Sequence, residues 1–362
     1  MRLLDRRGLL AGLAAGPLLL AAPRPGAQAL PNGPSLAAAA ARGGRYFGAA
    51  ARIDQIRAER ALRRTVLRDC AWITPEFHMN WDYVAPRSGA WNFRDADGLV
   101  AFAGEAGLKV RGHSLIWDQS TPAWAAAEMV ERRDWETVAR HFQRVMGRWG
   151  ERVQAWDVVN EPIARDGRGL LPSMFLEAYG PDYVRRAFDE ARALQPQARL
   201  AVNDYGFDYD NPVEEARRGS FLRLLEDLKA KGAPVDEVGI QAHLDLGKGP
   251  LRRRIVAPFL REIGQMGYRI VISELDVRER DFTLPLVERD RRVADEVRAY
   301  LEIALAEPAV EGVVTWGLSD RHSWLQDDEA AALGGVNRGL PYDHGLRPKP
   351  MYWALRDTLA AA

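Results

Sequence analysis

Ala155-Trp156-Asp157-Val158-Val159-Asn160-Glu161-Pro162 is the stretch from which the rest of the chain can be read. Trp156, Val158 and Val159 supply the bulk of a buried strand. The strand stops on Asn160 and Glu161, because Pro162 has no backbone donor to continue a ladder. A carboxylate at the tip of an apolar strand is poorly hydrated, so its pKa is expected to rise, as suits a proton donor. Ile270-Val271-Ile272-Ser273-Glu274-Leu275-Asp276 has the same form, with Glu274 at the end of an apolar run. Asp276 lies two residues further on, so strand alternation puts it on the same face as Glu274.

Outward from these two stretches the chain alternates. Apolar runs of strand length occur at Tyr46–Ala50, Trp72–Pro75, Lys109–Gly112, Val153–Val159, Arg199–Asn203, Glu237–Gln241, Arg269–Ser273 and Gly312–Trp316. Amphipathic stretches between and after them predict helices at Ile53–Arg68, Asp95–Ala106, Trp135–Trp149, Tyr183–Leu194, Glu214–Lys229, Leu251–Met266, Val287–Leu305 and Met351–Leu359. Near-continuous apolar strands alternating with helices describe a parallel sheet covered by helices. About eight such repeats close a sheet into a barrel, so the fold class is α/β, a single-domain (β/α)8 TIM barrel. The 362 residues, 47% of them hydrophobic, are enough for one such barrel and its core.

In a barrel of this kind the chemistry sits where strands end. The residues just after the apolar runs are Glu76, His113, Trp117, Asn160, Glu161, Asn203, Asp204, Tyr205, Gln241, His243, Glu274, Asp276 and Trp316. Any one alone reads as an ordinary loop residue, but together they concentrate polar and aromatic groups on one rim. Two carboxylates facing each other there are what glycoside hydrolysis requires. Eleven tryptophans, many near strand ends, add flat faces on which sugar rings stack.

Acidic and basic residues balance at 50 each, so charge makes no case for nucleic acid or an anionic membrane surface. Cys70 is the only cysteine, which excludes an intramolecular disulfide, and its apolar neighbours predict a buried, inert thiol. No glycine-rich phosphate cradle is present, so no cofactor is expected. His113 and His243 near acids resemble metal ligands, but no His-x-His follows the first strand, and no metal is expected. His141 is expected on a helix surface, and Asp327-Asp328-Glu329 as a solvated turn.

Arg2, Arg6 and Arg7 precede an apolar run, Leu9 to Ala22, too short to span a bilayer comfortably. Residues 1–29 therefore read as a signal peptide, with Arg6-Arg7 suggesting twin-arginine export to the periplasm or medium. Residues 30–44 read as a linker or short helix, and 45–362 as the catalytic barrel, a monomer with no stable membrane association after processing.

The motifs, taken together, resemble glycoside hydrolase family 10, the β-1,4-xylanase barrels. The matching stretches are Trp72-Ile73-Thr74-Pro75-Glu76, Val110 to Trp117, Ala155 to Glu161, Asn203-Asp204-Tyr205, Gln241-Ala242-His243-Leu244, Ile272 to Asp276 and Thr315 to Asp320, with Ser323-Trp324 and Pro348-Lys349-Pro350 in register. The resemblance implies a retaining endo-1,4-β-xylanase acting on xylan-like polysaccharide, with Glu161 as acid/base and Glu274 as nucleophile. By the same resemblance Asn160 meets the sugar 2-hydroxyl, Gln241 and His243 contact the nucleophile, and Asp276 orients His243. Glu76, His113 and Trp117 line the non-reducing side, Tyr205 the leaving-group side, and Trp316 and Trp324 stack on sugars.

The chain departs from the family on one side only. Where the family usually has Thr-Pro-Glu-Asn-Glu-Met-Lys-Trp, this chain has Thr74-Pro75-Glu76-Phe77-His78-Met79-Asn80-Trp81. Asp118-Gln119-Ser120 follow Trp117, where the family commonly has His-Ser-Gln. These changes predict retained bond chemistry with altered upstream sugar recognition. A hydrolase of another β-linked or decorated glycan, and a binding protein that has lost catalysis, are the alternatives.

Overall fold

The computed structural model describes residues 31–326, 332 and 334–362. The expected signal peptide and the acidic turn at 327–329 lie outside these residues. Eight parallel strands form the barrel: β1 (Tyr46–Ala51), β2 (Trp72–Pro75), β3 (Lys109–Gly112), β4 (Ala155–Asn160), β5 (Arg199–Asp204), β6 (Glu237–Ile240), β7 (Arg269–Arg278) and β8 (Val310–Thr315). Each strand pairs with its successor, and β8 returns to β1 through Tyr46↔Gly312 and Phe47↔Val313, which closes the ring. Two short strands raise the rim: Ile116–Trp117 pairs with β4, and His243–Asp245 with β7.

The strands are nearly all buried, as their apolar runs demand, because helices cover the outside and side chains fill the inside. Helix Tyr183–Leu194 has the predicted bounds, and the other expected helices appear with ends displaced by a few residues. The stretch expected as one helix, Ile53–Arg68, is two, Ile53–Ala58 and Arg60–Asp69. Between them Glu59 is extended (φ −118°, ψ 98°), and its carboxylate meets His322 Nε2 at 2.9 Å. Two further helices, Ala123–Arg132 and Met174–Tyr179, sit in the connections after β3 and β4 and pack on each other.

Within the stretch read as linker or short helix, Leu36–Arg42 is a helix capped by the Ser35 hydroxyl. Leu36, Ala39 and Ala40 are fully buried, and the helix packs on the final helix, Pro350–Ala361, so the packed body begins before residue 45. Cys70 is buried, and burial pushes its thiol well above the ordinary value. His141, expected at a surface, is instead buried on the face shared by Val138, Phe142 and Val145. Its ring stacks 4.0 Å from Trp81, Nε2 lies 3.0 Å from the Leu115 carbonyl, and burial pushes its pKa down to about 3. The spacing i, i+3, i+4, i+7 marks that face, and a polar residue in it is easily assigned to the wrong side. Among the described residues no helix is long and apolar enough to cross a membrane.

The floor of the barrel is ionic. Arg111 of β3 is 1% exposed and reaches Asp157 of β4 at 2.5 and 3.2 Å, and also Glu237 of β6. Asp157 in turn accepts from His113 Nδ1 at 2.9 Å. The floor therefore positions the first side chain of the cleft above it.

Candidate active site

The C-terminal rim of the barrel encloses a cavity of about 850 Å³. Glu76, His113, Trp117, Asn160, Glu161, Tyr205, Gln241, His243, Glu274, Trp316 and Trp324 all line it. Asp276 does not; it lies fully buried just behind His243. The sequence-predicted residues are thus brought to one place, from β2 through β8.

Glu161 follows the last residue of β4 with φ +56°, left-handed for a residue with a Cβ, and its amide donates to the Asn203 carbonyl at 2.8 Å. Such a conformation costs on the order of 1–3 kcal/mol and turns the side chain off the strand line into the cavity. Burial raises the Glu161 pKa above the ordinary carboxylate value, and the nearby Glu274 charge adds to this, while hydrogen bonds partly oppose it. The Glu161 carboxylate meets three amides. Gln119 Nε2 donates to Oε2 at 2.9 Å, Gln241 Nε2 to Oε1 at 3.3 Å, and Asn160 Nδ2 lies 3.4 Å from Oε1.

Glu274 stands in a different setting. Asn203 Nδ2 donates to its Oε1 at 2.7 Å, and His243 Nε2 faces Oε2 at 3.2 Å. Nδ1 of the same ring meets Asp276 Oδ1 at 2.8 Å. Burial acts against a charged imidazole, but Asp276 and Glu274 outweigh it and lift His243 to about 10. An imidazolium therefore lies beside Glu274. The pairing His243↔Asp276 in strand register makes this contact, which is why the two residues meet.

The two carboxylates are joined through one acceptor. Asn160 Oδ1 accepts from Asn203 Nδ2 at 2.8 Å and from Gln241 Nε2 at 3.3 Å. Asn203, fully buried, was not assigned a role from sequence, yet it is the donor that holds Glu274. Its Oδ1 accepts from Ser273 Oγ at 2.6 Å, so every polar atom of the amide is used. Gly239 on β6 makes room for it, since a Cβ there would lie 2.1 Å from Asn203 Oδ1. Gln241, expected on the nucleophile, accepts from the Glu274 amide through its carbonyl at 3.0 Å, while its side chain donates to Glu161 and Asn160.

The aromatic walls are fixed by polar contacts. Trp324 Nε1 donates to Asp276 Oδ2 at 2.6 Å, which ties this half-exposed ring to the His243 pair. Trp316 packs edge-on to His113 with ring centroids 5.1 Å apart. The Arg217 guanidinium lies 4.1 Å above the Tyr205 ring, and Arg217 Nη2 bonds Asp204 Oδ1 at 2.5 Å. For His113, burial opposes the charged ring, but the Asp157 hydrogen bond and the Glu274 charge raise its pKa above the ordinary value. Of the residues that differ from the family pattern, Phe77 carries the Arg52 guanidinium 4.8 Å above its ring. Asn80 is 5% exposed, with Oδ1 buried and unpartnered among the described residues.

Comparison with known proteins leads to the same place. Endo-1,4-beta-xylanase 1 of Humicola insolens is 30% identical over 322 residues, 87% of this chain and 72% of that one. Endo-1,4-beta-xylanase B of Thermotoga neapolitana is 29% identical over 290 residues, covering 79% of this chain and 80% of its own. The crystal structure of native xylanase 10B from Thermotoga maritima superposes with a TM-score of 0.81 at 29% identity, over 90% of this chain and 98% of that one. Xylanase 10B from Thermotoga petrophila, solved with xylobiose, gives 0.81 at 28% identity, over 92% and 99%. The profile of glycosyl hydrolase family 10 spans residues 35–358, from the start of the Leu36–Arg42 helix to the last turn of the final helix, and the chain belongs to that family.

Proposed function

We propose that the protein is an endo-1,4-β-xylanase that hydrolyses xylan with retention of anomeric configuration. The observation that carries this reading is the contrast between two carboxylates on one cleft. Glu161 is buried and raised in pKa, while Glu274 is held by Asn203 and by the His243 imidazolium. In the first step a Glu274 oxygen attacks the anomeric carbon, and the glycosidic C–O bond breaks as Glu161 gives its proton to the departing oxygen. In the second, water attacks the same carbon, Glu161 takes the water proton, and the bond to Glu274 breaks. Such a mechanism requires carboxyl groups about 5–5.5 Å apart.

His243 and Asp276 act as positioning residues for Glu274. Asn160 and Gln241 hold Glu161 and the adjoining amide network. Glu76, His113 and Trp117 form the upstream wall, Tyr205 the leaving-group wall, and Trp316 and Trp324 the stacking faces. The relatives named endo-1,4-beta-xylanase and the neighbour solved with xylobiose support a xylan-like substrate. Upstream recognition differs from the family pattern, since Asn80 offers an unpartnered acceptor where a lysine donor is usual. The enzyme works as an exported monomer, by the twin-arginine route, without a metal or cofactor.

The test is reducing-sugar release from xylan by the wild type beside Glu274→Ala and Glu161→Ala. Both variants are expected to lose nearly all activity, with azide restoring turnover to Glu274→Ala and yielding a glycosyl azide of inverted configuration. Equal release by wild type and Glu274→Ala would refute the assignment. Rates on plain xylan, decorated xylan and β-glucan test the upstream difference.

A further inference from the structure

Arg217, on helix Pro212–Ala230, is 1% exposed and does not line the cavity, yet its guanidinium joins two loops that do. Nη1 donates to the Ala164 carbonyl at 2.8 Å and the Ile163 carbonyl at 3.3 Å, on the segment that follows Glu161. Nε donates to the Tyr205 carbonyl at 2.9 Å, in the loop after β5. Asp204, the fully buried partner of Nη2, repeats the link from the other side. Its Oδ1 accepts from the Tyr205 amide at 2.8 Å, and its Oδ2 from the Ile163 amide at 3.0 Å. Gly206 takes φ +72°, and a Cβ there would lie 2.9 Å from Arg217 Nε, so the backbone beside Tyr205 closes directly on the guanidinium. One turn further along the helix, Ser220 Oγ donates to the Gly167 carbonyl at 2.6 Å and accepts from the Gly169 amide at 3.2 Å. The loop after β4 is thus gripped at two points by one face of this helix.

We propose that Arg217 is a positioning residue for departure of the leaving group. It locks the segment that carries Glu161 to the loop that carries Tyr205, so the proton donor and the wall that receives the departing sugar keep one spacing. The inference rests on the xylanase reading above and deepens it on the acid/base side of the bond. A planar guanidinium, with donors in fixed directions, reaches all four of these acceptors at once. A lysine ammonium on a flexible stem cannot reproduce that fork. Arg217→Lys therefore keeps the charge that faces Asp204 and removes the geometry. Burial pushes the Asp204 pKa up to about 7 and Arg217 opposes it, so an alanine would also favour protonation of Asp204 and is the poorer probe.

The experiment measures kcat/KM of the full chain on xylohexaose and on dinitrophenyl β-xylobioside, for wild type, Arg217→Lys and Ser220→Ala, beside thermal melts. Dinitrophenolate departs without a proton from Glu161 and without a sugar on the leaving side, and kcat/KM reports only the steps up to its departure. Arg217→Lys is expected to lower kcat/KM on xylohexaose by about 10- to 100-fold, the scale of a small misplacement of a catalytic group, and to leave the aryl glycoside within about twofold. Ser220→Ala shows the same selectivity with a smaller loss, and it decides the matter if Arg217→Lys does not fold. A merely structural role lowers the melting temperature and both rates alike. A folded variant that loses both rates in equal proportion, or keeps both, overturns the inference while leaving the xylanase reading intact. No cleavage of xylohexaose by the wild type overturns both.

Discussion

Replacing Asn203 by alanine removes the donor 2.7 Å from Glu274 Oε1 and the donor 2.8 Å from Asn160 Oδ1 in one change. The bond to Glu274 is charge-assisted and fully buried, so its loss is worth about 1.5–3 kcal/mol, or about 10- to 150-fold in rate. Ser273 Oγ also loses its acceptor, which adds about 1–3 kcal/mol of lost stability for a buried orphan. A merely structural role would lower the melting temperature without touching turnover of the folded enzyme. The role argued here does more. Asn203 fixes the attacking oxygen of Glu274, so removing it lowers kcat of the folded protein more than it changes KM. Asn203→Asp, which sets a carboxylate against Glu274, lowers kcat further. The assay is initial rates on a chromogenic xylobioside over a range of concentrations, beside thermal melts of each variant. A folded Asn203→Ala enzyme with unchanged kcat would refute the reasoning.

Gln119→Ala deletes the amide that donates to Glu161 Oε2 at 2.9 Å, so the protonated acid persists to higher pH. The basic limb should move up by about 0.4–1 pH unit, the equivalent of one ordinary hydrogen bond, and a downward move would contradict this. His141→Phe keeps the stack on Trp81 but cannot titrate. The folded pKa of His141 is depressed to about 3, so below about pH 6.5 the unfolded chain binds a proton that the folded chain refuses, and stability falls as pH drops through that window. The phenylalanine variant should therefore lose less melting temperature than wild type between neutral pH and mild acid; parallel curves would exclude His141 as a source of acid lability.

The barrel was legible because a buried parallel strand is written as an uninterrupted apolar run, and the runs at Trp72–Pro75 and Lys109–Gly112 end where the strands end. The helix break at Glu59 was not legible, and the contact its carboxylate makes there, with His322, spans 263 residues. Rim residues could be collected from strand ends, but their partners could not. Asn203 holds Glu274 across 71 residues, and the Gln241 side chain turns to Glu161 while its carbonyl meets the Glu274 amide, because strand order and side-chain direction are three-dimensional facts. The helices Ala123–Arg132 and Met174–Tyr179 were missed because short alanine-rich or aromatic segments inside long loops carry little periodic signal.

The Arg111, Asp157 and Glu237 side chains under the cleft form a single ionic unit. Changing any one strands a charge in the interior, at a loss of about 3–5 kcal/mol, and converting all three to hydrocarbon of matched volume removes that loss but leaves buried His113 Nδ1 without Asp157, at about 1–3 kcal/mol. Variant libraries will therefore find every single-step neighbour of this trio unfit, even where a distant combination would fold. His113, released from Asp157 in such a combination, would be free to turn in the cleft. The route by which a descendant could remodel its upstream wall thus runs through the bottom of the cylinder, out of reach of stepwise substitution.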